Sequence, residues 1–124
     1  MKEYIKEASS KTPAIKFDMV NGVLDIKGRS IPENCFEFYK PLMAALDVYS
    51  GCAQPTTVVT LDLEYFSTSS SKCILDVFKK LENISKGGKS VTVNWNYEDE
   101  DILEAGEDYQ AMIDLPFQMV LVSD

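Results

Sequence analysis

Five hydroxyl side chains stand in a row at Ser67, Thr68, Ser69, Ser70 and Ser71, between Tyr65-Phe66 and Lys72. Such a run can serve nucleophilic catalysis or accept a phosphate. The nucleophilic use requires a neighbouring base to take the hydroxyl proton. The chain has no histidine, which excludes Ser-His-Asp, Cys-His and histidine-metal arrangements. A phosphate asks for less. The run falls between the carboxyl end of a strand and the start of a helix, where free backbone N–H groups and the helix dipole favour negative charge. A Ser/Thr run seen alone reads as one N-cap and a turn. Lys72 tilts the reading toward modification, because a base in the first helical turn opposes the dipole unless an anion is expected nearby.

The other clusters that could do chemistry are weaker. Asp62 and Glu64 share one strand face and could hold Mg²⁺ or act as an acid/base pair, but decoration of a solvated face explains them as well. The acidic run Glu98-Asp99-Glu100-Asp101 lacks the spaced ligands and central glycine of an EF-hand loop. Lys86-Gly87-Gly88-Lys89-Ser90 ends like a phosphate-binding loop, yet Asn83 stands where the pattern needs glycine. It also joins a helix to a strand, the reverse of that motif, and reads as a helix stop. Asn83-Ile84-Ser85 is a chance glycosylation sequon on a helix. Cys35, Cys52 and Cys73 are odd in number, far apart and without a CxxC pair, so they read as reduced thiols rather than a metal site or disulfide framework. No metal and no cofactor is expected.

The elements that must position the hydroxyl run are written in the alternation of apolar and polar residues. Ile15, Phe17 and Met19, then Val23, Leu24 and Ile26, predict strands near 14–20 and 23–28 joined as a hairpin around Asn21-Gly22. Phe36, Tyr39, Leu42, Met43, Leu46 and Tyr49 recur at helical spacing and predict a helix over 33–50, closed by Gly51. Start signals lie at Ser30-Ile31-Pro32-Glu33 and Asn34-Cys35-Phe36-Glu37. Pro41 inside it predicts a kink or a late start. Val59, Leu61, Leu63 and Tyr65 mark a strand over 57–66; Ile74, Val77, Phe78, Leu81 and Ile84 a second helix, stopped by Gly87-Gly88. Val91, Val93, Trp95 and Tyr97 give a fourth strand, with Trp95 turned to the core. Ile102, Tyr109, Met112 and Ile113 mark a third helix, and Phe117, Met119 and Leu121 a last strand.

The resulting order is ββαβαβαβ in one domain spanning 1–124, a mixed, mostly parallel five-stranded α/β sheet. The strands alternate with Lys, Asp, Glu, Thr and Asn rather than running continuously apolar, so the helices should lie mainly on one face. With 12 basic and 20 acidic residues the chain carries −8, and seven of the acids crowd into 98–108 without an intervening base. Nucleic acid and anionic membrane surfaces would be repelled; basic or mixed protein surfaces suit it better. No apolar signal core and no stretch of membrane-spanning length is present, which points to the cytoplasm.

Several short segments carry a resemblance in their order and spacing. They are Thr12-Pro13-Ala14-Ile15, Pro32-Glu33-Asn34, Leu61-Asp62-Leu63, Thr68-Ser69-Ser70, Gly87-Gly88, Val93-Asn94-Trp95-Asn96-Tyr97 and Pro116-Phe117. Together they resemble the SiaC-type regulatory phosphoproteins of bacteria, which are similar in fold to the STAS domains of anti-sigma-factor antagonists. The resemblance implies a STAS-like, non-enzymatic module with Thr68 as phosphoacceptor, flanked by Ser67, Ser69 and Ser70. A dedicated kinase would modify it and a PP2C-like phosphatase restore it. It further implies that the unphosphorylated form binds and activates a diguanylate cyclase, controlling cyclic di-GMP and biofilm formation, with Thr68, Ser69, Ser70 and Lys72 at the partner surface. Ser67 departs from the asparagine expected before the acceptor, and Ser71 adds a further hydroxyl. The alternatives are a partner switch acting on an anti-sigma kinase, or a small acid/base or Mg²⁺-dependent enzyme built on Asp62, Glu64 and the acidic segment.

Overall fold

The structure, a computed structural model, describes residues 2–122. Six strands and three helices follow one another as β1 (Glu3–Lys6), β2 (Ala14–Asp18), β3 (Val23–Ser30), α1 (Cys35–Ser50), β4 (Thr56–Phe66), α2 (Thr68–Lys86), β5 (Ser90–Tyr97), α3 (Glu100–Met112) and β6 (Phe117–Leu121). All six strands form one sheet in sequence order; β1, β2 and β3 pair antiparallel, whereas β3 through β6 run parallel. Each parallel connection is a crossover through one helix and each steps to the next strand in the same direction. With a common right-handed sense, the three helices must then lie on the same face.

Burial agrees with that geometry. Ile15, Phe17, Leu24, Ile26, Val59, Leu61, Val93 and Trp95 turn inward and are almost wholly buried. Lys16, Lys27 and Thr92 on the opposite face are exposed, with Asp62 and Asn94 half-buried. Period-two alternation on the strands thus fixes which face the helices cover. The indole N–H of Trp95 donates to the Ile102 carbonyl at 2.8 Å, so the largest core side chain also anchors α3.

The sheet has one strand more than the sequence predicts. β1 is an edge strand of four residues, of which Tyr4 alone is half-buried against the core. The hairpin between β2 and β3 also differs from a two-residue turn. Asp18 pairs with Val23, leaving four loop residues; the Asp18 carboxylate accepts the Val20 and Asn21 amides, and Gly22 takes φ +70°. Those bonds hold the Asp18 carboxyl below its ordinary value, the Asn21 side chain contributing most. Helix α1 starts at Cys35 after the Asn34 cap and continues past Pro41, which faces solvent. At the other end of α2, Gly88 takes φ +103° and Gly87 N–H closes the last turn, the helix stop expected of Gly87-Gly88.

Candidate functional site

The hydroxyl run sits where the carboxyl ends of β3 and β4 meet the amino ends of α1 and α2, the edge at which parallel α/β sheets place their functional residues. A β-bulge shapes this corner. Gly28 pairs with Leu63 and Arg29 with Tyr65, so Glu64 is the extra residue on β4. The bulge re-aims the last residues of β4, and Phe66 turns back against the core while Tyr65 points to solvent. Gly28, at φ +128°, passes 3.3 Å from Pro13 Cα as measured from where a Cβ would stand.

The run does not form a loop ahead of α2. Ser67 is the N-cap and its hydroxyl accepts the Ser70 amide at 3.2 Å; Thr68, Ser69, Ser70 and Ser71 are the first four helical residues. The side chains therefore point in different directions around one turn. Thr68 and Ser69 are exposed, Ser67 and Ser71 are half-buried, and Ser70 is fully buried. Ser70 is thereby removed from the accessible acceptors and from the partner surface expected of it. Its hydroxyl donates to the Ser30 carbonyl at 2.8 Å and accepts from the Ser30 hydroxyl at 2.9 Å. Because the Ser30 proton goes to Ser70, the phenol of Tyr39 must donate to Ser30 Oγ across their 2.7 Å contact. β3, α1 and α2 are thus tied by one buried polar chain in which every member is satisfied.

The exposed hydroxyls differ in how far they are committed. Ser69 Oγ lies 3.3 Å from Ser67 Oγ and accepts the Cys35 thiol at 3.4 Å. Ser71 Oγ lies 3.0 Å from the Tyr109 phenol, which donates to the Ser71 carbonyl at 2.8 Å and so links α3 to the same turn. Thr68 alone in the run makes no side-chain hydrogen bond among the described residues. Lys72, one turn further on, is exposed and has no carboxylate within ion-pair distance among the described residues.

Ser30, Cys35 and Tyr39 escape sequence reasoning as parts of this site. For Ser30 a signal existed, since Leu24 and Ile26 set the inward parity of β3 and position 30 falls on it. For Cys35 there was none. Burial pushes its thiol up, but the hydroxyls of Ser69, Ser70 and Ser67 more than offset this and hold it below the ordinary thiol value. Cys73 is pushed up by burial and by the proximity of Cys35. Among the described residues no group of three or more metal-binding side chains occurs and no helix is long and apolar enough to cross a membrane.

Comparison with known proteins places this corner in context. An uncharacterized protein of Pseudomonas aeruginosa is 31% identical over 111 residues, covering 88% of each chain. The crystal structure of apo-SiaC from Pseudomonas aeruginosa matches with TM-score 0.90 at 28% identity, over 97% of this chain and 99% of the other. A chain in the crystal structure of the diguanylate cyclase SiaD in complex with its activator SiaC, from the same organism, matches with TM-score 0.90 at 28% identity, over 96% and 99%. Residues 6–122 match the SiaC family regulatory phosphoproteins, and with near-complete coverage by sequence and by structure the chain belongs to that family.

Proposed function

We propose that this chain is a phosphorylation-switched activator of a diguanylate cyclase, acting in the cytoplasm and without catalytic activity of its own. Thr68 is its phosphoacceptor. The observation that carries the reading is the state of Thr68: exposed, first residue of α2, and uncommitted while its neighbours are bonded or buried. The family supports it, and so does the related SiaC, which is crystallised with the cyclase SiaD as its activator. A protein kinase adds the phosphate and a PP2C-like phosphatase removes it.

The switch follows from charge and size. A phosphate adds about −1.5 to −2 charges and three strong acceptor oxygens. At the first helical position those oxygens face the positive end of α2, so the helix tolerates them. A partner surface pressed against the same turn does not, because it must desolvate the new charge. Against a starting charge of −8 the global field changes little, and the effect is confined to the contact.

The purified diguanylate cyclases of the organism that encodes the chain, titrated one by one with it by calorimetry, test this. Thr68→Ala is expected to bind and activate one of them like the wild type and to resist the kinase, whereas Thr68→Asp binds at least tenfold more weakly. Equal binding by the two variants, or phosphate mapped by mass spectrometry to Ser71 instead, would refute the assignment.

A further inference from the structure

Two of the three cysteines meet at the amino ends of α1 and α2. Cys35 is the first residue of α1, and its sulfur lies 3.1 Å from Ser70 Oγ and 3.4 Å from Ser69 Oγ on the first turn of α2. Cys73 follows Ser69 by four residues and Ser70 by three, which puts it on the same face of α2 one turn further on. A helical side chain leans back over the turn that precedes it, so Cys73 reaches toward the two hydroxyls that hold Cys35. Cys35 is buried and Cys73 half-buried, yet both border one hollow of about 350 Å³. A water molecule takes about 30 Å³, so a small oxidant has room there. Cys52 stands apart, exposed beyond the far end of α1, whose 16 residues span about 24 Å.

The two thiols are unequal, as an attacking sulfur and its resolving partner must be. Against the effect of burial, the hydroxyls of Ser69, Ser70 and Ser67 hold the Cys35 thiol below its ordinary value. The positive end of the α1 dipole favours the same thiolate. Once it forms, the Ser69 hydroxyl can turn from Ser67 and donate to the sulfur. Burial, and then the charges of Cys35 and Asp76, push the Cys73 thiol up, with Lys72 working against them. Cys35 is thus the strongest charge acting on Cys73, as closeness of the two sulfurs requires.

We propose that Cys35 and Cys73 form a reversible oxidation site for hydrogen peroxide, closing a disulfide that pins the first turn of α1 to α2 beside Thr68. The Cys35 thiolate attacks one peroxide oxygen. The O–O bond breaks, hydroxide leaves and takes up the proton that Cys35 released, and the sulfur becomes a sulfenic acid. The Cys73 sulfur then attacks the Cys35 sulfur; the S–S bond forms, the S–O bond breaks and water departs with the Cys73 proton. Two thiols have lost two electrons, one peroxide has gained them, and two waters result. A dithiol restores both cysteines by exchange. Ser70 keeps its bonds to Ser30 throughout, so the buried polar chain survives the loss of the Cys35 contact. The site stands whichever hydroxyl of the run carries phosphate.

The full chain, reduced and then treated with a small excess of hydrogen peroxide, tests this by mass spectrometry. The intact mass is expected to fall by two hydrogens and a Cys35–Cys73 crosslinked peptide to appear, both reversed by dithiothreitol. Cys52→Ser should crosslink like the wild type. Cys73→Ser should stop at the sulfenic acid, trapped on Cys35 by dimedone, and Cys35→Ser should form no crosslink and consume peroxide at least tenfold more slowly. The crosslink encloses β4 and nearly all of α1 in one covalent loop, so it should raise the thermal midpoint by roughly 5–15 °C. Unmodified Cys35 and Cys73 in the wild type would overturn the proposal even where a variant fails to fold. So would Cys35 carried on to sulfinic acid with Cys73 untouched, or crosslinks formed only through Cys52 of two copies. An oxidised chain with an unchanged midpoint would overturn the pinning of α1 to α2.

Discussion

A methyl group on Gly106 would collide with the Trp95 ring, its Cβ falling 2.5 Å from Nε1 and 2.8 Å from Cγ. Two effects oppose each other there. Alanine is the better helix former by about 0.5–1 kcal/mol at an ordinary site. Overpacking a filled core costs about 1–3 kcal/mol, and Trp95 cannot swing aside without breaking its 2.8 Å bond to the Ile102 carbonyl and its ring contact with Tyr109, 5.4 Å between centroids. The steric term wins. Gly106→Ala is therefore expected to lower the unfolding free energy by about 1–2 kcal/mol, read from the urea midpoint at unchanged slope. A raised midpoint would mean that α3 shifts freely on the sheet.

At the scale of the element, the first turn of α2 is where order and function meet. The Ser67 hydroxyl accepts the Ser70 amide, and the Ser71 amide donates to the Ser67 carbonyl at 2.9 Å. Ser67→Ala removes the cap and should cost about 1 kcal/mol. Hydrogen exchange should then accelerate at the amides of Ser69, Ser70 and Ser71 while the middle of α2 keeps its protection; unchanged exchange in that turn would show that the buried Ser30–Ser70 bonds hold it unaided. This element also shows what a sequence can and cannot disclose. The periodicity of Ile74, Val77, Phe78, Leu81 and Ile84 placed α2 and its end, because burial of one stripe is a local pattern. The start was hidden, since a capped first turn and a loop share the same hydroxyl composition. The bond between Ser30 and Ser70 joins residues 40 positions apart, and only the pairing of β3 with β4 brings them together. β1 was invisible for a different reason: four residues with one half-buried side chain give too short an alternation to register. Phe36 matched the helical spacing and nonetheless faces solvent, because the buried stripe of α1 runs through Cys35, Tyr39, Leu42, Leu46 and Tyr49 and Phe36 lies one position to its side.

Across the whole molecule, the helical layer is stitched by phenols. Tyr39 joins α1 to Ser30 on β3, Tyr49 on the same helix lies 2.7 Å from Thr57 on β4, and Tyr109 joins α3 to Ser71 on α2. Burial raises the Tyr39 hydroxyl well above the ordinary tyrosine value, against a smaller opposing effect of its bond to Ser30. Tyr109 is likewise pushed up by burial to about 12, its bond to Ser71 working against the shift. Both groups hold their protons longer in the folded chain than in the unfolded one. Their contribution to stability is complete below about pH 10, the unfolded value, and is lost as pH climbs toward the folded one. The unfolding free energy should accordingly stay level, as far as these groups are concerned, up to about pH 9.5 and then fall, with Tyr109 accounting for roughly 1–3 kcal/mol by pH 12. Tyr109→Phe keeps the ring against Phe78 and Trp95 but has no proton to lose. Its stability at pH 8 should be lower, because the Ser71 bonds are gone, and its decline between pH 10 and 12 shallower than that of the wild type. Parallel declines in the two proteins, followed by urea unfolding at fixed ionic strength, would show that Tyr109 ionises without leaving its place and that α3 is held to α2 by packing alone.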